Sequence, residues 1–429
     1  MRSVRRRIGI LFMIALTLVL VPAASMAVGM QADYPALTVN STTQTVFFAG
    51  QEWYVIGYNG SGVYSQSGTV TLLLKYNTNS STPFGDIAFR NGRLTDPGGW
   101  TQYPIGTGYW YEGNFTAPSD YSDSTLQRFM TAITDDNTSP FYFPPRESAL
   151  INLRSLTAAS DHIGGADSNS QKLWPLSFDE LRTTIDDVAV HSFGQWYWLR
   201  SSPPGSAPEN AGLGNPNGTG QYSHIVYSSI THAVRPALNL NLSSVLFTST
   251  ASGTDGKSSM IVGGGLISAS VPADAVKFTV QDTSLTLACT DRNMRTVQVG
   301  DTVSIAYSGA QTGANKYVSC VIVDSSNTVL FYGKLATAAS GKATFTVPPL
   351  PNDSYTIKLF NEECNADSYT DFASTPISIG MTVGDIRPPS DLPKTGDGFP
   401  MGILLVFLGT ALIGLGWLSF RARVWGAQK

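Results

Sequence analysis

The chain has 429 residues, a formal net charge of −4, 14% charged residues and 11% aromatics. Charge is far below the usual quarter while Ser, Thr, Asn and Gly supply the polar positions, which favours strands and turns over charged surface helices. Basic residues cluster only at the two ends, so the body has no patch for phosphate neutralisation, which argues against nucleic acid as a ligand.

Arg2, Arg5, Arg6 and Arg7 precede an apolar stretch from Ile8 to Val21, and Ser25 and Ala27 place small residues near a cleavage point. This order predicts a secretory signal peptide over residues 1–27. Its apolar stretch, about 14 residues, is short for a bilayer span. Losing those four arginines, and a C-terminal tail with two net positive charges, takes the mature chain to about −10.

Residues 34–248 read as an N-terminal surface domain of α+β class. Thr45–Ile56, Val70–Tyr76, Trp196–Leu199, Ile225–Tyr227 and Val234–Leu240 have strand composition. Ser124–Ile133 and Ser177–Ile185 read as helices, the second opened by Ser177 and Glu180 at capping-box spacing. Residues 249–274 are rich in Ser, Gly and Ala and read as a linker, with Met260–Ile267 able to add one strand.

From residue 275 to 384 the pattern is strand after strand. Val303, Ile305 and Tyr307 alternate with polar neighbours, as do Tyr355, Ile357 and Leu359. About eight such strands in about 110 residues predict an immunoglobulin-like β-sandwich, serving as a stalk. Cys289, Cys320 and Cys364 all lie here; they permit one disulfide in any of three pairings, or three buried thiols. Lys277 on the first strand and Asn361 after a late one are candidates for an isopeptide staple, the alternative being two exposed polar residues.

Residues 385–391 read as a Pro-containing linker, stiffened by Pro388 and Pro389. Leu392, Pro393, Lys394, Thr395 and Gly396 follow. Residues 400–420 contain an uncharged run, Met401 to Phe420, whose length of about 20 residues predicts a transmembrane helix. Arg421, Arg423 and Lys429 make 421–429 a basic cytoplasmic tail, which puts the body outside.

This order of motif, apolar run and basic tail resembles the LPXTG cell-wall sorting signal of Gram-positive surface proteins. The resemblance implies that a membrane-bound sortase attacks the Thr395 carbonyl through a cysteine thiolate, cuts before Gly396, and passes the acyl group to a peptidoglycan amine. Sortase, peptidoglycan and, before sorting, the membrane are thus the expected partners. A plain single-span anchor is the alternative.

The N-terminal unit carries a second resemblance. Gln51 to Ile56, Leu176 to Glu180, the segment Trp196, Tyr197, Trp198, Leu199, Arg200, Ser201 with Pro203, and the strand Val234, Arg235, Pro236, Ala237, Leu238 resemble landmarks of an uncharacterised domain of Gram-positive surface proteins. That domain is similar to the fold of formylglycine-generating enzymes and C-type lectins. The copper chemistry of those enzymes uses cysteines, and this unit has none. Lectin-type calcium sites need converging oxygens. Pro208, Glu209 and Asn210, or Asp135, Asp136 and Asn137, could supply some, though the lectin signature is absent.

Trp196 and Trp198 share a strand face and read as core rather than ligand platform. Arg200 and Arg235 read as structural forks bonding loop carbonyls or carboxylates. Trp100, Tyr103, Tyr109, Trp110 and Tyr111, with Tyr121, crowd a loop-rich stretch and are the candidate surface for an extracellular glycan or protein ligand. No catalytic residue is assigned: no carboxylate pair, GxSxG elbow or phosphate loop stands out. Among His162, His191, His224 and His232, the last two lie across an expected hairpin, but without cysteine or an HExxH helix no metal or cofactor is assigned. The sequence therefore reads as a secreted, wall-anchored binding or adhesive protein, against a tethered glycan hydrolase or a structural wall component.

Overall fold

The first strand pair sets the pattern of local folding. Thr45–Phe48 and Gln51–Tyr58 are antiparallel with Phe48 opposite Gln51, so what reads as one long strand is a hairpin closed by Ala49 and Gly50. Both turn residues have positive φ, 50° and 77°, as a two-residue turn of the primed type requires. Ala49 tolerates this because its N–H donates to the buried Glu147 carboxylate at 3.2 Å. Thr69–Leu74 and Pro236–Asn241 continue the sheet beside Gln51–Tyr58, each antiparallel to its neighbour.

The computed structural model describes residues 28–32, 37–75, 87–88, 127, 130–131, 143–156, 170–185, 188–194, 196–200, 211–214, 223–225, 231–272 and 274–384. The signal peptide, Trp100 to Tyr121, both proposed calcium sets, His162 and everything from residue 385 onward, including the sorting motif, lie outside them.

The expected fold class is corrected in two respects. The N-terminal region is not an α+β domain: the described residues form twenty-seven strands, and their continuous helical segments are only three to seven residues long. The capping box at Ser177 does form, since Ser177 N–H donates to Glu180 Oε2 at 2.9 Å and Glu180 N–H to Ser177 Oγ at 3.1 Å. The helix still stops within two turns, because Thr183 and Thr184 are poor helix formers and Ile185 is already extended (φ −107°, ψ 103°). The expected C-terminal transmembrane helix is likewise unsupported: among the described residues no helix is long and apolar enough to cross a membrane.

Nor does the chain divide near residue 274. The described residues up to Val383 form one compact unit, in which a 17-strand network continues from the N-terminal strands into the C-terminal ones. Val276 pairs in parallel with Val46, and the N-terminal core, built on Trp53, Leu72, Trp174, Trp198 and Leu238, extends to Phe278 and Phe372. A clasp adds to this join. Arg146 stacks over the Phe372 ring at 3.7 Å and pairs with Asp282 and Glu363 at 2.6 and 2.9 Å.

The C-terminal strands are layered. Thr302–Ser308 and Gly341–Thr346 form one sheet, and their inward Ile305 and Phe345 meet Ile322, Ile357 and Ile379 from the larger sheet. The larger sheet is buried on its other face as well. There Val321, Val323, Tyr332 and Phe360 pack with Phe247, Met260 and Ala269. Those last three come from strand Val245–Thr250 and the stretch read as a linker, which contains the turn Lys257–Ser259 and the strand Ile267–Ser270. A sheet covered on both faces explains why Val318 to Val323 is buried throughout and apolar at every position but Ser319. The immunoglobulin-like expectation for 275–384 is thus met only loosely, with an extra layer supplied from outside that range.

Candidate functional site

Among the polar constellations buried in the described residues are three of which the first two involve residues singled out above. Arg200 sits behind the short strand Tyr197–Trp198. Its Nη1 donates to Pro175 O at 2.9 Å and to Glu180 Oε2 at 2.6 Å, and Arg154 approaches the other Glu180 oxygen at 2.8 Å. Burial alone would raise the Glu180 carboxyl, but Arg200, then Arg154 and the Ser177 N–H, outweigh it and hold it at about 2.

Arg235 is fully enclosed, with no carboxylate partner among the described residues. It donates through Nε to Leu74 O (2.9 Å), Nη2 to Val190 O (2.8 Å) and Nη1 to His191 O (3.0 Å), and stacks near Phe193 and Tyr197. Burial lowers its pKa from the ordinary arginine value. Pro236 follows it opposite Pro175, where neither residue has an N–H to leave unpaired. Trp198 is buried and Trp196 half-buried against the same core. Trp198, Arg200, Arg235 and Pro236 are thus buried, while Trp196 keeps part of its surface exposed.

The third constellation was not visible in the sequence. Strands Val276–Gln281, Asp371–Ala373 and Asp353–Glu363 lie side by side, with Thr279 opposite Asp371 and Glu362 opposite Ala373. Period-2 alternation puts Lys277 and Thr279 on one face. Lys257 enters above them from its turn. Its Nζ lies 2.5 Å from Glu362 Oε1, 2.7 Å from Asp371 Oδ2 and 2.7 Å from Thr279 Oγ1. Lys277 Nζ lies 2.8 Å from Asp371 Oδ1, and Tyr332 donates its hydroxyl to Glu362 Oε2 at 2.6 Å. The rings of Phe247 and Tyr332 stand 4.9 and 5.8 Å from the Lys257 ammonium.

Two ammonium groups thus face two carboxylates, a balance that makes burial of all four tolerable. Burial opposes the charge on Lys257, but Asp371 and Glu362 outweigh it and raise its pKa above the ordinary lysine value. For Glu362 burial is outweighed by Lys257, with help from Tyr332 and Ser319, and its pKa falls. Cys364 lies near enough that it, Glu362 and Asp371 could gather around a cation. Lys257 already occupies the space between the two carboxylates. Burial pushes the Cys364 and Cys320 thiols up, away from the thiolate form.

The remaining expectations distribute as follows. Lys277 does not meet Asn361: Asn361 Nδ2 donates to Gln311 O and Tyr317 O, at 3.2 and 3.0 Å. Cys289, Cys320 and Cys364 are all free thiols. His224 and His232 lie on strands that pair with different partners, Ala211–Gly214 and Ile87–Ala88, rather than in one hairpin. Lys257 was missed because it stands among Ser and Gly. One partial signal was available, since Glu362 falls on the same strand face as Phe360.

No protein-family model matches this chain. A search of curated proteins likewise finds no match.

Proposed function

We propose that this is a secreted surface protein attached covalently to peptidoglycan through Thr395 by a sortase, and that its body serves as a ligand-binding or adhesive module. The observation that carries the reading is the order Leu392-Pro393-Lys394-Thr395-Gly396, uncharged run, Arg421 and Arg423, together with the arginine-led apolar N-terminus. The β-rich body, joined through shared strands rather than a loose hinge, suits display beyond a wall. The aromatic stretch with Trp100, Tyr103, Tyr109, Trp110 and Tyr111 remains the best candidate for the contact surface, because aromatic rings on loops bury area at small entropic cost.

A structural wall role is the second reading. Its support is the burial of Trp53, Trp174, Tyr197 and Trp198, which leaves those aromatics no part in recognition.

The test is to express the full chain with Thr395→Ala in a host that has a sortase and to measure protein released by a muralytic enzyme. Loss of the wall-linked fraction, with the protein recovered in membrane and medium, is the expected result. Unchanged covalent linkage would overturn the anchoring. Binding of the secreted body to arrayed glycans, wall polymers and matrix proteins, abolished in Trp110→Ala, separates display of a ligand site from a structural role.

A further inference from the structure

The cluster around Lys257 holds an amine against a carboxyl group out of reach of water. Lys257 and Asp371 have side chains 1% and 0% exposed with Nζ and Oδ2 at 2.7 Å, yet among the described residues no hydrogen bond is well aligned on that oxygen. The hydrogen bonds of the Lys257 ammonium go instead to Glu362 Oε1 and Thr279 Oγ1. Asp371 Oδ1, by contrast, accepts the Asn365 backbone N–H at 2.7 Å and faces the Lys277 ammonium at 2.8 Å. One carboxyl oxygen is thus held by donors while the other is left beside a nitrogen.

We propose that Lys257 and Asp371 condense into an intramolecular amide bond that fastens the Gly- and Ser-rich stretch to the strand Asp371–Ala373. Glu362 takes a proton from the Lys257 ammonium, and the free amine attacks Asp371 Cγ. Negative charge gathering on Oδ1 is met by Lys277 and the Asn365 N–H, donors already placed where it develops. The Nζ–Cγ bond forms, the Cγ–Oδ2 bond breaks, and Oδ2 leaves as water with the two protons shed by the nitrogen, relayed through Glu362. Ammonium and carboxylate become amide and water, Glu362 ends as it began, and nothing is oxidised or reduced. Lys277 and Glu362 remain, so the pocket stays neutral.

Three features favour this route. Amines and carboxylates do not condense readily in water, but held in contact they react with effective concentrations on the order of 10⁵–10⁸ M. Tyr332 holds Glu362 Oε2 at 2.6 Å and so fixes Oε1 toward the amine. Lys277 is the poorer nucleophile here because its Nζ is committed to the Asn365 and Ala366 carbonyls at 3.0 and 3.3 Å. The inference is independent of wall anchoring, since it uses only residues of the body.

The experiment is intact-mass spectrometry of the full chain under denaturing conditions, with its termini fixed by peptide mapping. The expected main species is lighter than the unmodified polypeptide by one water, and digestion releases a branched peptide joining Lys257 to Asp371. A main species at the unmodified mass, or a branch through Lys277, overturns the proposal. Glu362→Gln keeps a hydrogen-bonding side chain of the same shape but cannot relay the proton. It is expected to fold, by its circular dichroism, and to weigh the full unmodified mass; a folded Glu362→Gln that still loses water overturns the role given to Glu362.

Discussion

Arg235 offers the sharpest test of how the N-terminal region is held together. Its guanidinium links the end of strand Thr69–Leu74 to the turn Val188–His191 through three carbonyls, of Leu74, Val190 and His191. Arg235→Met keeps the apolar stem but leaves three acceptors buried, at roughly 1–3 kcal/mol each, partly offset because a desolvated charge is also removed. The net expected loss is roughly 4 kcal/mol. Arg235→Lys retains the charge on one ammonium that cannot span three acceptors, so an intermediate loss of roughly 2–3 kcal/mol is expected. Urea unfolding followed by tryptophan fluorescence is the suitable assay, because residues 275–384 contain no tryptophan while Trp53, Trp174, Trp196 and Trp198 lie in or against the N-terminal core. A loss below about 1 kcal/mol for Arg235→Met would refute the view that these carbonyls depend on the arginine.

Further outcomes follow from other packed sites. Glu180 has a folded pKa of about 2, below its unfolded value, so its contribution is complete above about pH 4.5 and is lost as pH falls toward 2. Urea midpoints between about pH 6 and pH 3 should record a loss of roughly 2 kcal/mol, and Glu180→Gln should flatten that part of the profile while costing roughly 3 kcal/mol at neutral pH. Gly333→Ala would place a Cβ 2.5 Å from Gly265 O and 2.9 Å from Leu266 Cδ2, so a thermal melt should show roughly 2 kcal/mol of destabilisation from forced separation of that stretch from the sheet. Cys320, fully buried with its thiol pKa raised, should resist a thiol reagent in the native protein, while denaturant should expose three titratable thiols; a count of one would refute the free-thiol assignment.

Local strand signals were legible where one face meets solvent. Val303, Ile305 and Tyr307 alternate with exposed partners as their pattern dictates. Legibility failed where tertiary contacts overrode local rules. The Ala49-Gly50 turn lacks the Asn-Gly signature and is supported instead by Glu147, nearly a hundred residues away. The capping box at Ser177 is real, but its glutamate is bound by Arg200 and Arg154, and the threonines that follow cannot extend the helix. The arginines themselves were readable as structural forks, because a guanidinium in an apolar segment must find oxygen acceptors. Which acceptors it finds is a property of the fold.

The stretch from residue 249 to 274 shows why composition alone misleads about domain boundaries. Its many Ser and Gly residues are those of a linker, yet Lys257, Met260 and Ala269 all reach into the far face of the large sheet. Small residues permit this: Gly333 lets Gly265 and Leu266 lie directly on the sheet, where any side chain would hold them off. With Lys257 bound to Glu362 and Asp371 below and Glu147 joining Ala49 to Thr370 on the other side, the N-terminal strands and the layered sheets are connected at more than one point. A ligand pulling on the N-terminal region would therefore load several strands in parallel rather than a single covalent linker. An amide bond at Lys257 would place one of those connections beyond mechanical or thermal opening, which is the property that the proposed tethering at one end and grip at the other would require.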